Sequence, residues 1–322
     1  MKYETAGDPM TGLCWTRKTT EKISEELDRV GIKVSRTTVA KILKNLNYSL
    51  KVNSKKISNG GVPLTLEQRQ DRNEQFMYIS ECRKEFEERG LPIISVDGKK
   101  KELIGNFKNP GTRMRKDPDL TYDHDFITYA LGKALPFGIF DIGLLEGYIY
   151  VGQSDWNKDE KKFTSSETPR FAADNIARWW ADYGASRYPG ADEVLILADS
   201  GGSNSCRSRV WKYKIYKLLC EKYGLKVTVA HYPTGASKWN PIEHRLFSEL
   251  SKNWKGAPLI SFETVLKYAR TTKTKTGLNV KARLVTKKYK IGETICVSDY
   301  DKMNLKPHDV HPKWNYTLSP VG

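Results

Sequence analysis

The sequence predicts an α/β fold in which a mixed sheet is flanked by helices and preceded by an all-α unit. Two observations carry this prediction. Residues 16–60 hold two helical patterns separated by a glycine, whereas apolar strand-like runs alternate with helical patterns from residue 91 onward. The chain has 322 residues, of which 39% are hydrophobic, so it is long enough to bury the core of such a fold.

Residues 1–60 are expected to form a helix-turn-helix domain that binds DNA. Thr19 or Thr20 can cap a first helix, which Gly31 ends. The apolar positions of this helix follow the i, i+4, i+7 spacing of one helix face: Ile23, Leu27 and Val30. Ser35 can then cap a second helix. Two helices joined by a glycine-containing turn are typical of the motif.

The start of the second helix is the predicted point of contact with DNA bases. Four side chains lie there: Arg36, Thr37, Thr38 and Lys41. Residues 16–60 carry eleven Lys and Arg against four acidic residues, so the unit would also attract the phosphate backbone. An ordinary helical hairpin with a solvated basic face is the alternative.

Residues 61–90 are expected to be a helical linker. Gly60-Gly61-Val62-Pro63 is a loop signal, and a polar helix from about Leu66 to Arg89 follows it. Its polar composition indicates a rigid spacer.

Residues 91–258 are expected to form the main α/β domain. The predicted strands are Ile93–Val96, Phe137–Ile142, Tyr148–Val151, Val194–Leu197 and Val227–Ala230. The predicted helices are Phe171–Tyr183, Arg209–Tyr223 and a helix that Asn240 caps, with Pro241 at its first position and its end near Trp254. A meander of three strands, a helix, and then strand, helix, strand and helix is the order of an RNase H-like domain.

Residues 259–322 are expected to form a basic C-terminal subdomain packed on the core. A helix is predicted near Phe262–Thr272. Residues 271–290 carry seven Lys and Arg and no acidic residue, and a hairpin after Gly277 would make them a surface that follows DNA phosphates. A solvated basic loop is the alternative. The aromatic stretch Trp314–Tyr316 is expected to pack the tail onto the core.

The whole chain is basic, with 54 Lys and Arg, 38 Asp and Glu, and a formal net charge of +16. This charge favours double-stranded DNA over a membrane as partner. The five cysteines are widely spaced without a C-x-x-C pair, which disfavours a disulfide framework and a zinc site. No apolar run is long enough to span a bilayer, and the N-terminus lacks the apolar segment of a signal peptide. The protein is therefore expected to be cytoplasmic and, as a DNA-binding protein, associated with the nucleoid.

Three carboxylates stand where secondary structure can bring them together. Asp97 and Asp199 each end a predicted strand, and Glu243 lies in the first turn of a helix. Such a set makes a cage of oxygen ligands for two Mg²⁺ ions, for which Mn²⁺ can substitute. Two such ions can activate a water or a 3′-hydroxyl and stabilise the leaving oxygen in a displacement at phosphorus. Taken alone, each carboxylate has an alternative role that involves no metal: Asp97 or Asp199 could form a turn, and Glu243 could interact with the helix dipole. The prediction of a metal site therefore rests on the order of the three residues and their placement in the predicted elements.

Four basic side chains near these carboxylates are predicted to hold DNA phosphates: Lys99, Lys100, Lys238 and Arg245. A solvated strand edge is the alternative for the first two. Trp239 could stack on a base, although a buried tryptophan is the preferred prediction. Gly201–Asn204 could present N–H groups to a phosphate or make a tight turn. Three histidines receive no role: His244, His308 and His311.

Four blocks of sequence, strung over nearly the whole chain, carry a resemblance to a known family: Ser95–Glu102, Ala198–Asn204, Ser237–Phe247 and Trp314–Thr317. Together they resemble the Rhodopirellula-type DDE transposases of bacterial insertion sequences. The resemblance implies an RNase H-like catalytic core, magnesium dependence, and metal-binding carboxylates at Asp97, Asp199 and Glu243.

Two positions depart from the family pattern. Gly98 stands where the family more often has a residue with a side chain, and His311–Trp314 differs from the usual glycine-containing form. Members are also usually longer at the N-terminus, so the resemblance implies a shortened chain.

The expected function is therefore a DDE transposase that hydrolyses a phosphodiester at a transposon end and transfers the freed 3′-hydroxyl to target DNA. Such an enzyme is expected to work as a homo-oligomer that brings two ends together. A non-transposing nuclease on the same fold and a DNA-binding protein with an inert or truncated core are the alternatives.

Overall fold

The computed structural model describes residues 5–7, 14–16, 18–50 and 64–321, which belong to two compact units, Met1–Gly61 and Val62–Gly322. The loop signal at residues 60–63 lies outside the described residues.

The first unit contains both predicted helices, α1 (Thr20–Arg29) and α2 (Arg36–Asn45). The Thr19 hydroxyl accepts a hydrogen bond from the Lys22 amide, and the Ser35 hydroxyl accepts one from the Thr38 amide. The two predicted N-caps are therefore confirmed. The expectation of an all-α unit is wrong, because β1 (Thr5–Gly7) and β2 (Cys14–Thr16) pair as an antiparallel sheet ahead of the helices.

The second unit is built on a ten-stranded mixed sheet. Its strands are β3 (Ile93–Gly98), β4 (Glu102–Ile104), β5 (Gly132–Asp141), β6 (Glu146–Asn157), β7 (Lys162–Phe163), β8 (Glu193–Asp199), β9 (Lys226–Tyr232), β10 (Asn279–Val285), β11 (Asn304–Pro307) and β12 (Asn315–Ser319). Their order is β10-β6-β5-β3-β8-β9-β12-β11, with β4 paired to β5 and β7 paired to β6. The central strands follow the predicted pattern: β3, β5 and β6 form an antiparallel meander, and β8 and β9 run parallel to β3.

Helices cover both faces of this sheet. They are α3 (Leu66–Glu88), α4 (Pro169–Trp179), α5 (Ala185–Arg187), α6 (Arg209–Ile215), α7 (Ser248–Trp254), α8 (Phe262–Arg270) and α9 (Val297–Asp301). Three π-helical turns continue or precede them: Trp180–Gly184, Tyr216–Glu221 and Glu243–Phe247. We call the continuous helical stretch from residue 241 to residue 254, which includes α7, the Glu243 helix.

Side chains alternate between the two faces along each strand. Ile94 and Val96 of β3 point to the face covered by α4 and α6. Ile93 of β3 and Leu195 of β8 point to the other face, where α3 packs. The same alternation turns Asp97 and Asp199 toward the face of α3 and the Glu243 helix, and Gly98 toward the face of α4.

The helix expected to be a spacer is instead part of the core. Ile79 and Phe86 of α3 are buried in one cluster with Ile93 and Leu195. The Gln75 side chain exchanges hydrogen bonds of 2.7 Å with the Asn315 side chain. The prediction of a rigid spacer was wrong because the few buried residues of this mostly polar helix cannot be recognised from its composition.

The C-terminal residues do not form a separate subdomain. β10 pairs in parallel with β6, and β12 pairs with β9, so this region contributes strands on both sides of the central five. The hairpin predicted after Gly277 is therefore wrong, because β10 finds its partner in β6. Tyr316 is fully buried and accepts a hydrogen bond from the Trp211 indole, so the predicted packing of the closing aromatic stretch is confirmed.

Much of the predicted basic stretch at residues 271–290 is neutralised within the fold. Four of its seven basic residues form ion pairs with core acids: Lys281 with Glu146, Arg283 with Asp182, Lys287 with Asp174 and Lys288 with Asp155. These four residues fasten the stretch to the sheet and helices. Among the helices that the structure describes, none combines the length and apolar character needed to cross a bilayer.

Candidate metal centre

Asp97 and Asp199 lie at the same end of two neighbouring strands. The parallel register aligns Val96 with Ala198, so the two aspartates are the next residues along β3 and β8. Neighbouring strands are roughly 4.7–4.9 Å apart, which keeps the two carboxylates close. Ligand sites of α/β sheets commonly form beyond the carboxyl ends of parallel strands, where these residues stand.

Asn240 links the Glu243 helix to this end of the sheet. Its side-chain amide donates a hydrogen bond of 3.1 Å to Asp199 Oδ1 and one of 3.4 Å to the Val96 carbonyl. Its side-chain oxygen accepts a hydrogen bond from the Ser95 hydroxyl. Glu243 follows three residues later and begins a π-helical turn, a feature that is frequent at functional sites. The bridge through Asn240 therefore brings Glu243 to the end of the sheet that carries both aspartates.

The cap of the Glu243 helix comes from a neighbouring strand. Ser95 Oγ on β3 accepts a hydrogen bond of 3.1 Å from the Ile242 amide. The Asn240 carbonyl accepts the amide of Glu243 at 3.1 Å, whereas the Asn240 side chain is directed to β3 and β8. The predicted helix start is confirmed, but a hydroxyl group from the sheet replaces the predicted Asn side chain in capping it.

The electrostatics of Asp97 reflect burial among like charges. Burial and the negative charge of Asp199 raise its pKa to about 8, and Glu243 and Glu167 add smaller effects in the same direction. A hydrogen bond of 2.7 Å from the Gly98 amide to Asp97 Oδ1 partly opposes them. In the protein without bound cations, Asp97 is therefore a much weaker acid than an ordinary aspartate.

The other two carboxyl groups are shifted in the same direction. Burial raises the pKa of Asp199, against hydrogen bonds from Asn240 and Ser237. Burial and the charge of Asp199 raise the pKa of Glu243, against the positive charges of His244 and Lys99. All three groups are thus less stable as anions than they would be in water.

Protein cations compensate these three carboxylates only in part, because His244 and Lys99 act on Glu243 without forming an ion pair with it. Among residues 18–50 and 64–321, no Lys or Arg forms an ion pair with any of them, and the nearby lysines pair elsewhere: Lys99 with Glu102 and Lys101 with Glu167. Hard oxygen donors that face one end of the sheet without a Lys or Arg ion-pair partner among the described residues fit a divalent cation such as Mg²⁺.

A second group of metal-ligating side chains lies elsewhere. Within the described part of the chain, Asp71, Glu74 and His311 each offer a ligand atom, and these three atoms lie within 4.8 Å of one another. The carboxylate oxygens of Asp97, Asp199 and Glu243 are farther apart than this. His311 Nε2 is 3.2 Å from Glu74 Oε2 and 3.0 Å from the Asp71 carbonyl. Two ions spaced roughly 3.5–4 Å apart can bridge carboxylates that stand farther apart than the ligands of a single ion.

Three of the four basic residues predicted near the carboxylates are exposed: Lys100, Lys238 and Arg245. Lys99 differs, with only 9% of its surface exposed. Its ammonium lies 3.2 Å from Glu102 Oε1 and 4.3 Å from the centre of the Trp254 ring, and burial lowers its pKa. Because the chain turns Lys99 inward, it is not presented to DNA as predicted.

Arg245 and His244 line one depression with residues of the basic C-terminal stretch, Thr274, Thr276 and Leu278. In the first unit, the four residues predicted to contact bases are all exposed at the start of α2: Arg36, Thr37, Thr38 and Lys41. The Thr37 and Thr38 hydroxyls lie 2.6 and 3.0 Å from Ser35 Oγ, so they surround the helix cap.

Sequence reasoning missed two features of the site. Trp239, for which burial was preferred, is 57% exposed beside Lys238. Glu167 was not singled out, although its carboxylate accepts a hydrogen bond of 2.8 Å from the hydroxyl of Ser203, in the glycine-containing loop after Asp199. No periodic pattern surrounds Glu167, and its placement depends on contacts between segments far apart in the chain.

Comparisons with known proteins found one matching protein family and several similar solved structures. A family model described as Rhodopirellula transposase DDE domain matches residues 1–320. Solved structures similar to this chain include a Mos1 transposase paired-end complex with the left transposon end, at 15% identity over 78% of this chain and 65% of that chain, with a TM-score of 0.44. They also include a Mos1 mariner paired end complex with Mn, at 17% identity over 78% of this chain and 65% of that chain, with a TM-score of 0.45.

This chain thus spans less than two thirds of those Mos1 chains. No curated protein sequence matches it. The match of the family model extends over nearly the whole chain, and the chain therefore belongs to the Rhodopirellula transposase DDE domain family.

Proposed function

We propose that this chain is a metal-dependent DNA transposase that cleaves a phosphodiester at a transposon end and joins the freed 3′-hydroxyl to target DNA. One observation supports the proposal: Asp97 and Asp199 end neighbouring parallel strands, Asn240 links the helix of Glu243 to the same end of the sheet, and no Lys or Arg of the described residues forms an ion pair with these carboxylates. The net charge of +16 and membership of the family support a DNA substrate.

Each residue of the site has a distinct part in this proposal. Asp97 and Asp199 hold two divalent ions from the strand ends, and Glu243 holds them from the helix. Asn240 keeps the Asp199 carboxylate in place through its 3.1 Å hydrogen bond. When bound, Mg²⁺ or Mn²⁺ supplies activation of the attacking hydroxyl and stabilisation of the leaving oxygen.

The DNA substrate is proposed to lie across the exposed side of the Glu243 helix. Lys238 and Arg245 flank Glu243 along the chain, and Lys100 follows Asp97 on the sheet side. Arg245 shares its depression with Thr274 and Thr276, so a phosphate backbone could continue from the carboxylates toward the C-terminal basic stretch. Arg36, Thr37, Thr38 and Lys41 would read the transposon end in the first unit.

The transposase proposal is tested with terminal DNA of the element, Mg²⁺, and the variant Asp199→Asn. Asparagine retains an oxygen acceptor for Asn240 but lacks the charge that holds a cation. We expect cutting and joining to fall at least about a thousandfold, or roughly 4 kcal/mol of barrier, while DNA binding persists. The matched control is Asp192→Asn, which changes an exposed aspartate just before the opposite end of β8.

The products separate the proposal from its alternatives. A transposase joins pre-cut 3′ ends to a target plasmid, whereas a nuclease yields only cut ends. A DNA-binding protein with an inert core shows neither reaction and binds its site equally well in EDTA. If Asp199→Asn cuts DNA as well as the unsubstituted chain, the proposed metal site is wrong.

The DNA contacts are tested separately by the salt dependence of binding. Removal of a phosphate contact with Lys238→Ala or Arg245→Ala should weaken binding and reduce the slope of log K against log salt by about 0.9. Lys84→Ala is the control, because Lys84 is also exposed but pairs with Glu88 on α3. In the first unit, Arg36→Ala should weaken binding of end DNA, and Arg29→Ala, which removes an exposed partner of Glu26, should not. Equal effects of target and control variants would contradict these contacts.

A further inference from the structure

Glu167 lies directly against Gly98, the residue that follows Asp97. A Cβ atom built on Gly98 would lie 2.0 Å from Glu167 Oε1 and 2.8 Å from its carboxyl carbon. The Glu167 carboxylate therefore occupies the space that any side chain at position 98 would need. Gly98 is one of the two places at which this sequence departs from the pattern of the resembling family.

The fold holds Glu167 at this place from several sides. Ser203 donates a hydrogen bond of 2.8 Å to its carboxylate, and the exposed Lys101 ammonium stands 3.6 Å away. The backbone before it is fixed, because the Ser166 amide donates to the Tyr289 carbonyl at 2.9 Å. Thr168, the next residue, is the side-chain cap of α4. The Glu167 side chain is 16% exposed, so it is oriented and not freely mobile in solvent.

Glu167 and Glu243 approach the end of β3 from opposite sides. Gly98 faces α4, whereas Asp97 faces the Glu243 helix, because adjacent residues of a strand point to opposite faces. Glu167 precedes α4, and Ser203, which orients it, follows Asp199 by four residues. Its carboxylate is thus tied to both strand ends that carry the proposed metal ligands.

We propose that Glu167 is a fourth carboxylate of the metal centre, which binds a divalent ion on the α4 side of Asp97. This inference rests on the proposed function, since it assumes that Asp97, Asp199 and Glu243 hold the ions. Gly98 permits the observed position of the Glu167 carboxylate, because a Cβ atom there would displace the carboxylate from its place against β3.

A purely structural role for Glu167 is the competing explanation. In that case the carboxylate only accepts the Ser203 hydrogen bond and pairs with Lys101. Glutamine keeps the acceptor for Ser203 and nearly the same shape, but removes the charge. Glu167→Gln therefore preserves the structural role and removes the proposed ligand.

The test is titration of the full chain with Mn²⁺ alone, followed by calorimetry. We expect two bound ions in the unsubstituted chain and, in Glu167→Gln, an affinity for one ion that is at least about tenfold weaker. Glu160→Gln is the matched control, because Glu160 is an exposed glutamate paired with Lys162 away from the site. Unchanged Mn²⁺ affinity in Glu167→Gln overturns the inference.

A second variant moves the carboxylate without changing its charge. The methyl group of Gly98→Ala would displace Glu167 Oε1, and Gly98 does not need the left-handed conformation. Gly98→Ala should therefore weaken the same ion, and the double variant should show no further loss beyond Glu167→Gln. Additive losses would contradict the inference.

Failure of this inference and failure of the proposed function give different results. If Asp199→Asn abolishes Mn²⁺ binding but Glu167→Gln does not weaken it, the three-carboxylate centre stands and Glu167 is structural. If the unsubstituted chain binds no Mn²⁺, or Asp199→Asn binds it normally, both proposals fall.

Discussion

Asp97 is a half-buried carboxyl group that has other carboxylates near it. Burial and the charge of Asp199 raise its pKa to about 8. An arrangement of this kind makes the metal-free fold less stable at alkaline pH, when Asp97 must carry a charge, and makes a bound cation favourable. Under the proposed function, ion binding offsets this loss of stability, and such a compromise is common at active sites.

The first residue-scale prediction concerns Asp97 and pH. The folded pKa is about 8, whereas the ordinary value is 3.8, so between these values the unfolded chain releases the proton and the folded chain keeps it. Stability of the metal-free protein should therefore fall as pH rises through this window. Asp97→Asn has no such cost, so its advantage in melting temperature in EDTA should be larger at pH 8.5 than at pH 5.

The control for this prediction is the metal itself. With saturating Mn²⁺ the unsubstituted chain gains stability from binding, and Asp97→Asn should not. A melting-temperature difference between the two proteins that is the same at both pH values would show that Asp97 is not the shifted group.

Individual residues differ in how far the sequence predicts them. The positions of Asp97 and Asp199 near strand ends and of Glu243 near a helix start were predictable, because each belongs to a periodic element, whereas their role as metal ligands stays a prediction. Lys99 was mistaken for a DNA contact, because its inward direction depends on Trp254 and Glu102. Glu167 was missed, because its position is set by contacts with Gly98 and Ser203, distant in sequence.

At the scale of elements, the Glu243 helix is fastened to the sheet by Ser95 and Asn240. Ser95 accepts from the Ile242 amide and donates to Asn240, which in turn donates to Asp199. This chain of hydrogen bonds connects β3, β8 and the helix that carries the third carboxylate. It therefore fixes the mutual positions of the three proposed ligands.

Removal of the Ser95 hydroxyl should weaken both the fold and the site. Ser95→Ala leaves the buried Ile242 amide and the Asn240 side-chain oxygen without partners. We expect a loss of about 1–3 kcal/mol in the free energy of unfolding, measured by urea denaturation. Cleavage should fall as well, since Glu243 loses its anchor.

The control is Ser186→Ala, which removes an exposed local hydrogen bond of 2.9 Å to the Tyr183 carbonyl. This variant should change the free energy of unfolding by less than about 0.5 kcal/mol. Equal stability of the two variants would contradict the capping role.

The sequence predicts the apolar side of the Glu243 helix but not its π-helical turn. The stripe of Ile242, Leu246, Leu250 and Trp254 is buried as its i+4 spacing indicates. The wide turn at Glu243–Phe247 has no local signal. The cap from Ser95 was equally invisible, because it comes from a residue 147 positions away.

At the scale of the whole molecule, the central strands and their order follow from the alternation of strand and helix patterns. The edges do not. β10 and β12 join strands that lie far away in the chain, and a sequence pattern carries no information on which distant strand accepts them. The same limitation hid the packing of α3, whose buried residues are few among many polar ones.

The central claim is that Asp97, Asp199 and Glu243 hold the divalent ions of a transposase. A crystal of the chain soaked in Mn²⁺ and measured for anomalous scattering tests it most directly, because it locates the ions without reliance on activity. Our account predicts anomalous density enclosed by these three carboxylates at the ends of β3 and β8. Density only at Asp71, Glu74 and His311, where three ligand atoms lie within 4.8 Å of one another, would contradict it.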